Sequence, residues 1–139
     1  RKQPFEVRWN SAFREVIEAC GERKETWIDE AIIESYVQLY EEGFAHSVEC
    51  WDADGLQGGL YGVSLGRAFF GESMFSRKTD ASKIALVHLV EWLREERYLV
   101  LDTQWMTDHL RQFGGEEISR EEYVMILHEA LEGIYEDPS

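Results

Sequence analysis

Ser47-Val-Glu-Cys-Trp51, Asp52-Ala-Asp-Gly55, Leu56-Gln-Gly-Gly-Leu-Tyr-Gly-Val-Ser64 and, after Gly66, Arg67-Ala-Phe-Phe-Gly-Glu72 are the stretch on which the fold turns. Ser47–Trp51 alternates with the period of a strand, Asp52–Gly55 is turn chemistry, and Leu56 to Ser64 returns as the partner. Gly66 turns the chain again into Arg67–Glu72, so the stretch predicts a three-stranded antiparallel meander. On either side the period becomes helical. Upstream, Asn10 stands as an N-cap before Phe13, Val16, Ile17 and Cys20. Trp27-Ile28-Asp29 then leads into a second helix with Ile32, Ile33, Tyr36, Leu39 and Tyr40, stopped by Gly43. Downstream, the loop Ser76–Asp80 opens a helix from about Ala81 to Glu96 carrying Ile84, Leu86, Val87, Val90 and Leu93. Tyr98–Leu101 is short and almost wholly apolar, which predicts a central strand buried on both faces. Met106, His109, Leu110 and Phe113 suggest a short helix closed by Gly114-Gly115. Ser119 with Glu122 makes a capping box for a last helix bearing Tyr123, Ile126, Leu127 and Leu131. The fold class is α+β: a layer fold with an antiparallel meander, a helix, a further central strand and flanking helices, in a single domain over 1–139.

Composition agrees with a soluble globule. The 139 residues are 44% hydrophobic and 30% charged with 2 Pro, and no apolar run approaches the ~20 residues of a spanning helix. Disordered, collagenous and membrane classes are excluded. The chain opens on Arg1 with no charged-then-apolar leader, which makes the cytoplasm the expected compartment. Asp and Glu number 28 against 14 Lys and Arg, a net charge of −14. By itself this argues against an anionic partner; it fits a solvated, self-repelling surface first and, as the functional reading, a surface suited to cationic peptides. The acid concentrates towards the C-terminus, whereas Gly66 to Lys83 is locally positive through Arg67, Arg77, Lys78 and Lys83. Cys20 and Cys50 lack ligand spacing and read as buried apolar residues; the four scattered histidines form no metal constellation.

Three features carry candidate chemistry. Glycine weakens a strand unless something must approach it closely, so Gly58, Gly59, Gly62, Gly66 and Gly71 suggest a sheet surface kept bare for a ligand. Glu72 and Asp102 each end a predicted strand, and Gln104 follows Asp102 on the same side. Carboxylates and amides at the carboxyl ends of strands can hold an ammonium group and accept its proton. Structural duties fit the same residues: Asp102 capping the next helix, and Glu72 paired with Arg77. Arg77, Lys78 and Lys83 flank a helix start and could hold a phosphate there. Gly71-Glu-Ser-Met-Phe75 lacks the second glycine of a nucleophile elbow, which excludes a Ser–His–Asp hydrolase.

Gly58-Gly-Leu-Tyr-Gly-Val63, Phe70-Gly-Glu-Ser-Met-Phe-Ser-Arg77, Ala81-Ser-Lys83 and Leu101-Asp-Thr-Gln104 also form a recognisable text, with Thr26-Trp-Ile28 and Gly43-Phe-Ala-His-Ser-Val-Glu49 upstream and His109-Leu, Gly114 and Ile118-Ser-Arg120 downstream. It resembles the leucyl/phenylalanyl-tRNA–protein transferases over nearly the whole chain. The further N-terminal domain and the aromatic, proline-containing tail usual in that family have no counterpart. The resemblance implies an acetyltransferase-like core that moves Leu or Phe from aminoacyl-tRNA onto a protein beginning with Arg or Lys, marking it for degradation. Asp102 and Gln104 would sit at the acceptor amine and the reacting ester, with Glu72 helping to hold the acceptor. Leu60, Phe69, Leu89 and Leu93 would line the donor side-chain pocket, Ser73 would join the substrate-binding set, and Trp27 would stack on the terminal adenosine or the acceptor.

An aminoacyl ester is already activated, so placement supplies much of the rate, on the order of 7–11 kcal/mol, and no cofactor is expected beyond aminoacyl-tRNA as co-substrate. A methylene in an apolar pocket is worth only about 1–3 kcal/mol, which predicts loose selection among Leu, Phe and Met. Two other readings stay open. One is a binding module that holds basic N-termini without transfer. The other is an acyl-CoA N-acyltransferase, disfavoured because Lys78-Thr79-Asp80 supplies no glycines for a pyrophosphate loop.

Overall fold

The alternating stretch after Gly43 forms the middle of a five-stranded sheet. In the computed structural model, which describes residues 4–23, 29–103 and 119–136, the order is β1 (Glu6–Trp9), α1 (Phe13–Arg23), α2 (Glu30–Glu41), β2 (Ala45–Asp52), β3 (Gly55–Leu65), β4 (Ala68–Ser76), α3 (Ala81–Glu95), β5 (Val100–Asp102) and α4 (Arg120–Glu136). The sheet runs β1-β2-β3-β4-β5, antiparallel up to β4 and parallel between β4 and β5. A parallel neighbour needs a crossover, and α3 supplies it.

Local chemistry sets the boundaries. Asp29 caps α2 by accepting from Ala31 N at 3.0 Å. At its other end Gly43, at φ +90°, lets its own N–H reach Tyr40 O and Phe44 N reach Leu39 O, at 3.0 and 2.8 Å, so the last carbonyls of the helix are satisfied. The expected capping box is present: Glu122 N donates to Ser119 Oγ at 3.1 Å and Ser119 N donates to Glu122 Oε1 at 3.3 Å. Cys20 and Cys50 are buried and are not joined in a disulfide.

Two apolar layers enclose the sheet. On one face α3 sets Ala81, Ala85, Leu86, Leu89, Val90 and Leu93 against Val48, Cys50, Leu60 and Phe69. On the other, α1 and α2 set Phe13, Val16, Ile17, Cys20 and Ile33 against Ala45, Leu56, Tyr61 and Phe75. Burying each large side chain contributes roughly 1.5–3 kcal/mol.

Four expectations need correction. β1 was not anticipated; its Val7 and Trp9 pack inward while Glu6 and Arg8 pair outward at 3.0 Å, the charged outer face of a sheet edge. Among the described residues Tyr98–Leu101 does not supply a central strand: β5, reduced to Val100–Asp102, stands last in the sheet order and its three residues are all half-buried. Asn10 is not the cap of α1. It turns at φ 58° and its Oδ1 accepts from Ser47 N at 2.9 Å. The fully buried carboxylate of Glu49, from β2, takes Ser11 N and Ala12 N at 3.2 and 3.0 Å instead. The glycines, finally, do not leave a bare surface. A Cβ on Gly58 would stand 2.5 Å from Ala81 Cβ, one on Gly62 2.5 Å from the Phe69 ring and one on Gly66 2.4 Å from Ala130 O, so these glycines admit the molecule's own helices and rings.

Candidate active site

Glu72 does not end its strand; it lies within β4, which continues to Ser76. Ser73 pairs with Tyr61 and Gly71 with Gly62, so Glu72 is an additional residue in the β3–β4 ladder, a bulge. Bulges re-aim side chains. Here Glu72 lies on the side of the sheet that Tyr61 also faces, and accepts a 2.8 Å hydrogen bond from the Tyr36 hydroxyl of α2. Tyr36 and Tyr61 meet edge to face at 5.4 Å beside it.

Asp102 reaches the same side by a different route. β5 pairs Phe69 with Leu101 and Phe70 with Asp102. Phe69 and Leu101 belong to the α3 layer, so by alternation Phe70 and Asp102 face away from α3. Glu72 follows Phe70 by two residues. Strand rise and spacing place the Cα atoms of Asp102 and Glu72 on the order of 8 Å apart, on one face. The β4–β5 pairing stops at Phe70 and Asp102, so among the described residues β4 from Gly71 onward meets no further strand on that side. This stretch of β4 adjoins both carboxylates.

Each carboxylate is held by a phenol. Tyr123, one turn into α4, donates to Asp102 Oδ2 at 2.6 Å. Burial first, and then the carboxylate it faces, pushes Tyr123 up to about 12, and the same two causes push Tyr36 up to about 12. Both stay protonated at neutral pH and act as donors. Burial also drives Tyr61 upward. A carboxylate so held keeps an acceptor oxygen for an ammonium or amine.

Leu60, Phe69, Leu89 and Leu93 are brought together, but in the α3 layer, on the opposite side of the sheet from Glu72 and Asp102; the first three are wholly inaccessible to solvent. Ser73 is buried and paired with Tyr61. The basic residues cluster five residues along β4 from Glu72, roughly 17 Å away. Arg77 donates through its backbone to Gln57 O at 2.7 Å and lies over the Phe75 ring. Lys78 is committed to Asp52 and Asp54 at 2.6 and 2.8 Å, tying the β2–β3 turn to the start of α3, and Lys83 stands 3.6 Å from Asp80. Gln104 and Trp27 lie outside the described residues. Among the described residues no group of three or more His, Cys, Asp or Glu could hold a metal, and no helix is long and apolar enough to cross a membrane.

Sequence reasoning missed Tyr36 and Tyr123. Both occupy apolar helical spacing and read as core, and only the hydroxyl's partner, distant in sequence, reveals the second duty.

Solved acetyltransferases share the architecture. A GNAT family acetyltransferase of Staphylococcus aureus superposes with a TM-score of 0.58 at 10% identity, covering 84% of this chain and 95% of that one. An aminoglycoside N-acetyltransferase in complex with CoA gives 0.59 at 15% identity, covering 86% and 93%. These show the fold. Among curated relatives, the leucyl/phenylalanyl-tRNA–protein transferase of Akkermansia muciniphila is 62% identical over 134 residues, and that of Paramagnetospirillum magneticum 56% over 135, each alignment covering 94% of this chain. That of Hyphomonas neptunium is 57% identical over 134 residues, again covering 94% of this chain. The chain spans 69%, 65% and 52% of their respective lengths. The family model described as leucyl/phenylalanyl-tRNA protein transferase matches residues 1–128, and with these identities it places the chain in the leucyl/phenylalanyl-tRNA–protein transferase family.

Proposed function

We propose that this chain transfers a hydrophobic amino acid of the Leu/Phe class from aminoacyl-tRNA to the amine of a peptide or protein with a basic N-terminal residue. The observation that carries the reading is the shared face of Asp102 and Glu72 beside the end of the β4–β5 pairing. Glu72, exposed and acidic, holds the cationic acceptor. Asp102 orients its amine, with Gln104 assigned beside it from the family resemblance. The acceptor ammonium first loses a proton to solvent. The neutral nitrogen then attacks the ester carbonyl, the C–N bond forms, and the C–O bond to the ribose breaks. The second amine proton passes through Asp102 to the departing ribose oxygen, so the carboxylate returns unchanged.

The donor side chain enters the α3 layer past the end of the β4–β5 pairing, towards Leu60, Phe69, Leu89 and Leu93, with Ser73 on the strand it passes. Trp27 stacks on the terminal adenosine or the acceptor, and Arg77 and Lys83 meet tRNA phosphate, with Lys78 contributing once a phosphate displaces its carboxylates. The ester carries its own activation, so the reaction takes no cofactor. Residues 1–139 act as one aminoacyltransferase core, in the cytoplasm, and the product is marked for degradation.

The test is incubation with labelled Phe-tRNA and an Arg-initiated peptide. Label is expected in the peptide, and less with an uncharged N-terminal residue. Peptide binding that depends on Glu72, with no label transferred, would assign the chain to the binding-module class instead.

A further inference from the structure

A strand's last residue is a poor place for a side chain that must hold one orientation, because it has a ladder on one side only. Asp102 is in that position, ending a three-residue strand at the edge of the described sheet. What steadies it comes from the far end of the chain. Tyr123 donates to Asp102 Oδ2 at 2.6 Å, a charge-assisted bond between residues 21 apart in sequence. The arm bearing the phenol is itself fixed. Ser119 and Glu122 close the helix start reciprocally, and Tyr123 N donates to Ser119 O at 2.9 Å. Further along α4, Ala130 O accepts from Arg67 N at 2.8 Å, and the helix backbone rests on Gly66, with no room for a Cβ between them. α4 is thereby seated on the β3–β4 turn, at the end of the sheet where the β4–β5 pairing begins.

We propose that Tyr123 is a positioning residue for the transfer: its hydroxyl clamps Oδ2 of Asp102 and leaves Oδ1 to meet the acceptor amine. This rests on the reading of Asp102 given above. The phenol is not a base in the reaction. With its ionisation pushed up to about 12, it keeps its own proton while Oδ1 takes and returns the amine's. Its contribution is geometric, restricting the carboxylate to one rotamer, which an attacking nitrogen within about 3 Å requires.

The decisive variant is Tyr123→Phe in the full chain, which keeps the ring and removes the hydroxyl. Transfer of labelled Phe from tRNA to the Arg-initiated peptide should lose about tenfold in kcat. The peptide KM should stay within about twofold, because ground-state holding is left to Glu72. The melting temperature should move by less than about 2 °C, whereas a purely structural role would lower it without separating kcat from KM. A second measurement needs no turnover: the Cζ resonance of Tyr123 is followed by NMR through its ionisation. Asp102→Asn should lower the midpoint from about 12 towards the ordinary tyrosine value. An unchanged midpoint means that the bond is not made in solution and overturns the proposal. Wild-type kcat in Tyr123→Phe, with Asp102→Ala inactive, overturns the proposal and leaves the role of Asp102 standing. Undiminished transfer by Asp102→Ala overturns both.

Discussion

The two faces of the sheet are built to different specifications. The α3 face is a closed apolar layer in which Leu60, Phe69, Ala85 and Leu89 have no exposure to solvent. The α1/α2 face mixes apolar packing with carboxylates, each held by named donors: Glu49 by backbone N–H groups, Glu72 by Tyr36 and Asp102 by Tyr123. The contrast teaches a division of labour. The first face supplies cohesion. The second supplies the charge that meets an amine.

The contrast breaks most visibly at Asp102. Asp102→Ala should cut transfer by at least about 100-fold while leaving the thermal transition nearly in place, as for a group that works on protons rather than packing. Across the sheet the expected cost falls on stability. Phe69→Ala removes a fully buried ring and should cost about 3–5 kcal/mol of stability, read from denaturant unfolding. A loss below about 1 kcal/mol would mean that the α3 layer is less tightly packed than its burial indicates. Glu49→Ala sharpens the comparison, because Glu49 is polar yet structural. It strands Ser11 N, Ala12 N and the Ser47 hydroxyl, and at roughly 1–3 kcal/mol for a buried donor left unmade it should destabilise the fold while leaving the residual folded protein active.

The smallest effect is one of pH. Asn10 Oδ1 accepts from Ser47 N, which points Asn10 Nδ2 at His46 Nδ1, 3.2 Å away, and requires that nitrogen to be unprotonated. Burial lowers the His46 pKa, against a smaller upward pull from the Gly43 backbone. A group that is harder to protonate when folded binds more protons unfolded, so its contribution is present above the unfolded value near 6.5 and fades as pH falls towards the lower folded one. The melting temperature of the wild type should therefore drop by a few degrees more than that of His46→Gln between about pH 7 and pH 5. Equal drops would remove His46 from the acid sensitivity.

The meander was legible because alternation in Ser47–Trp51 and turn residues at Asp52–Gly55 are local signals. α2 and α4 were legible for the same reason, through Gly43 and the Ser119–Glu122 pair. β1 was not, since a four-residue edge strand offers too few alternations to stand out. The reading of β5 as central has a physical basis as well: an apolar run states that something covers it, and among the described residues β4 on one side and the α3 layer do so. At the candidate site, the carboxylates at 72 and 102 could be read from the text, while the bulge at Glu72 and the phenols of Tyr36 and Tyr123 depend on register and on contacts across 36 and 21 residues.

The anchoring of the chain just before α1 by Glu49 reaches beyond the finished molecule. The two residues that lead into this helix are held by a carboxylate 37 and 38 residues downstream. The N-terminal turn of α1 is therefore not secured until β2 is in place, and the entropy of closing that loop comes first. As the chain leaves the ribosome, α1 must wait for sequence not yet synthesised, and the amides of Val16 and Ile17 should gain protection from deuterium exchange in step with the sheet rather than ahead of it.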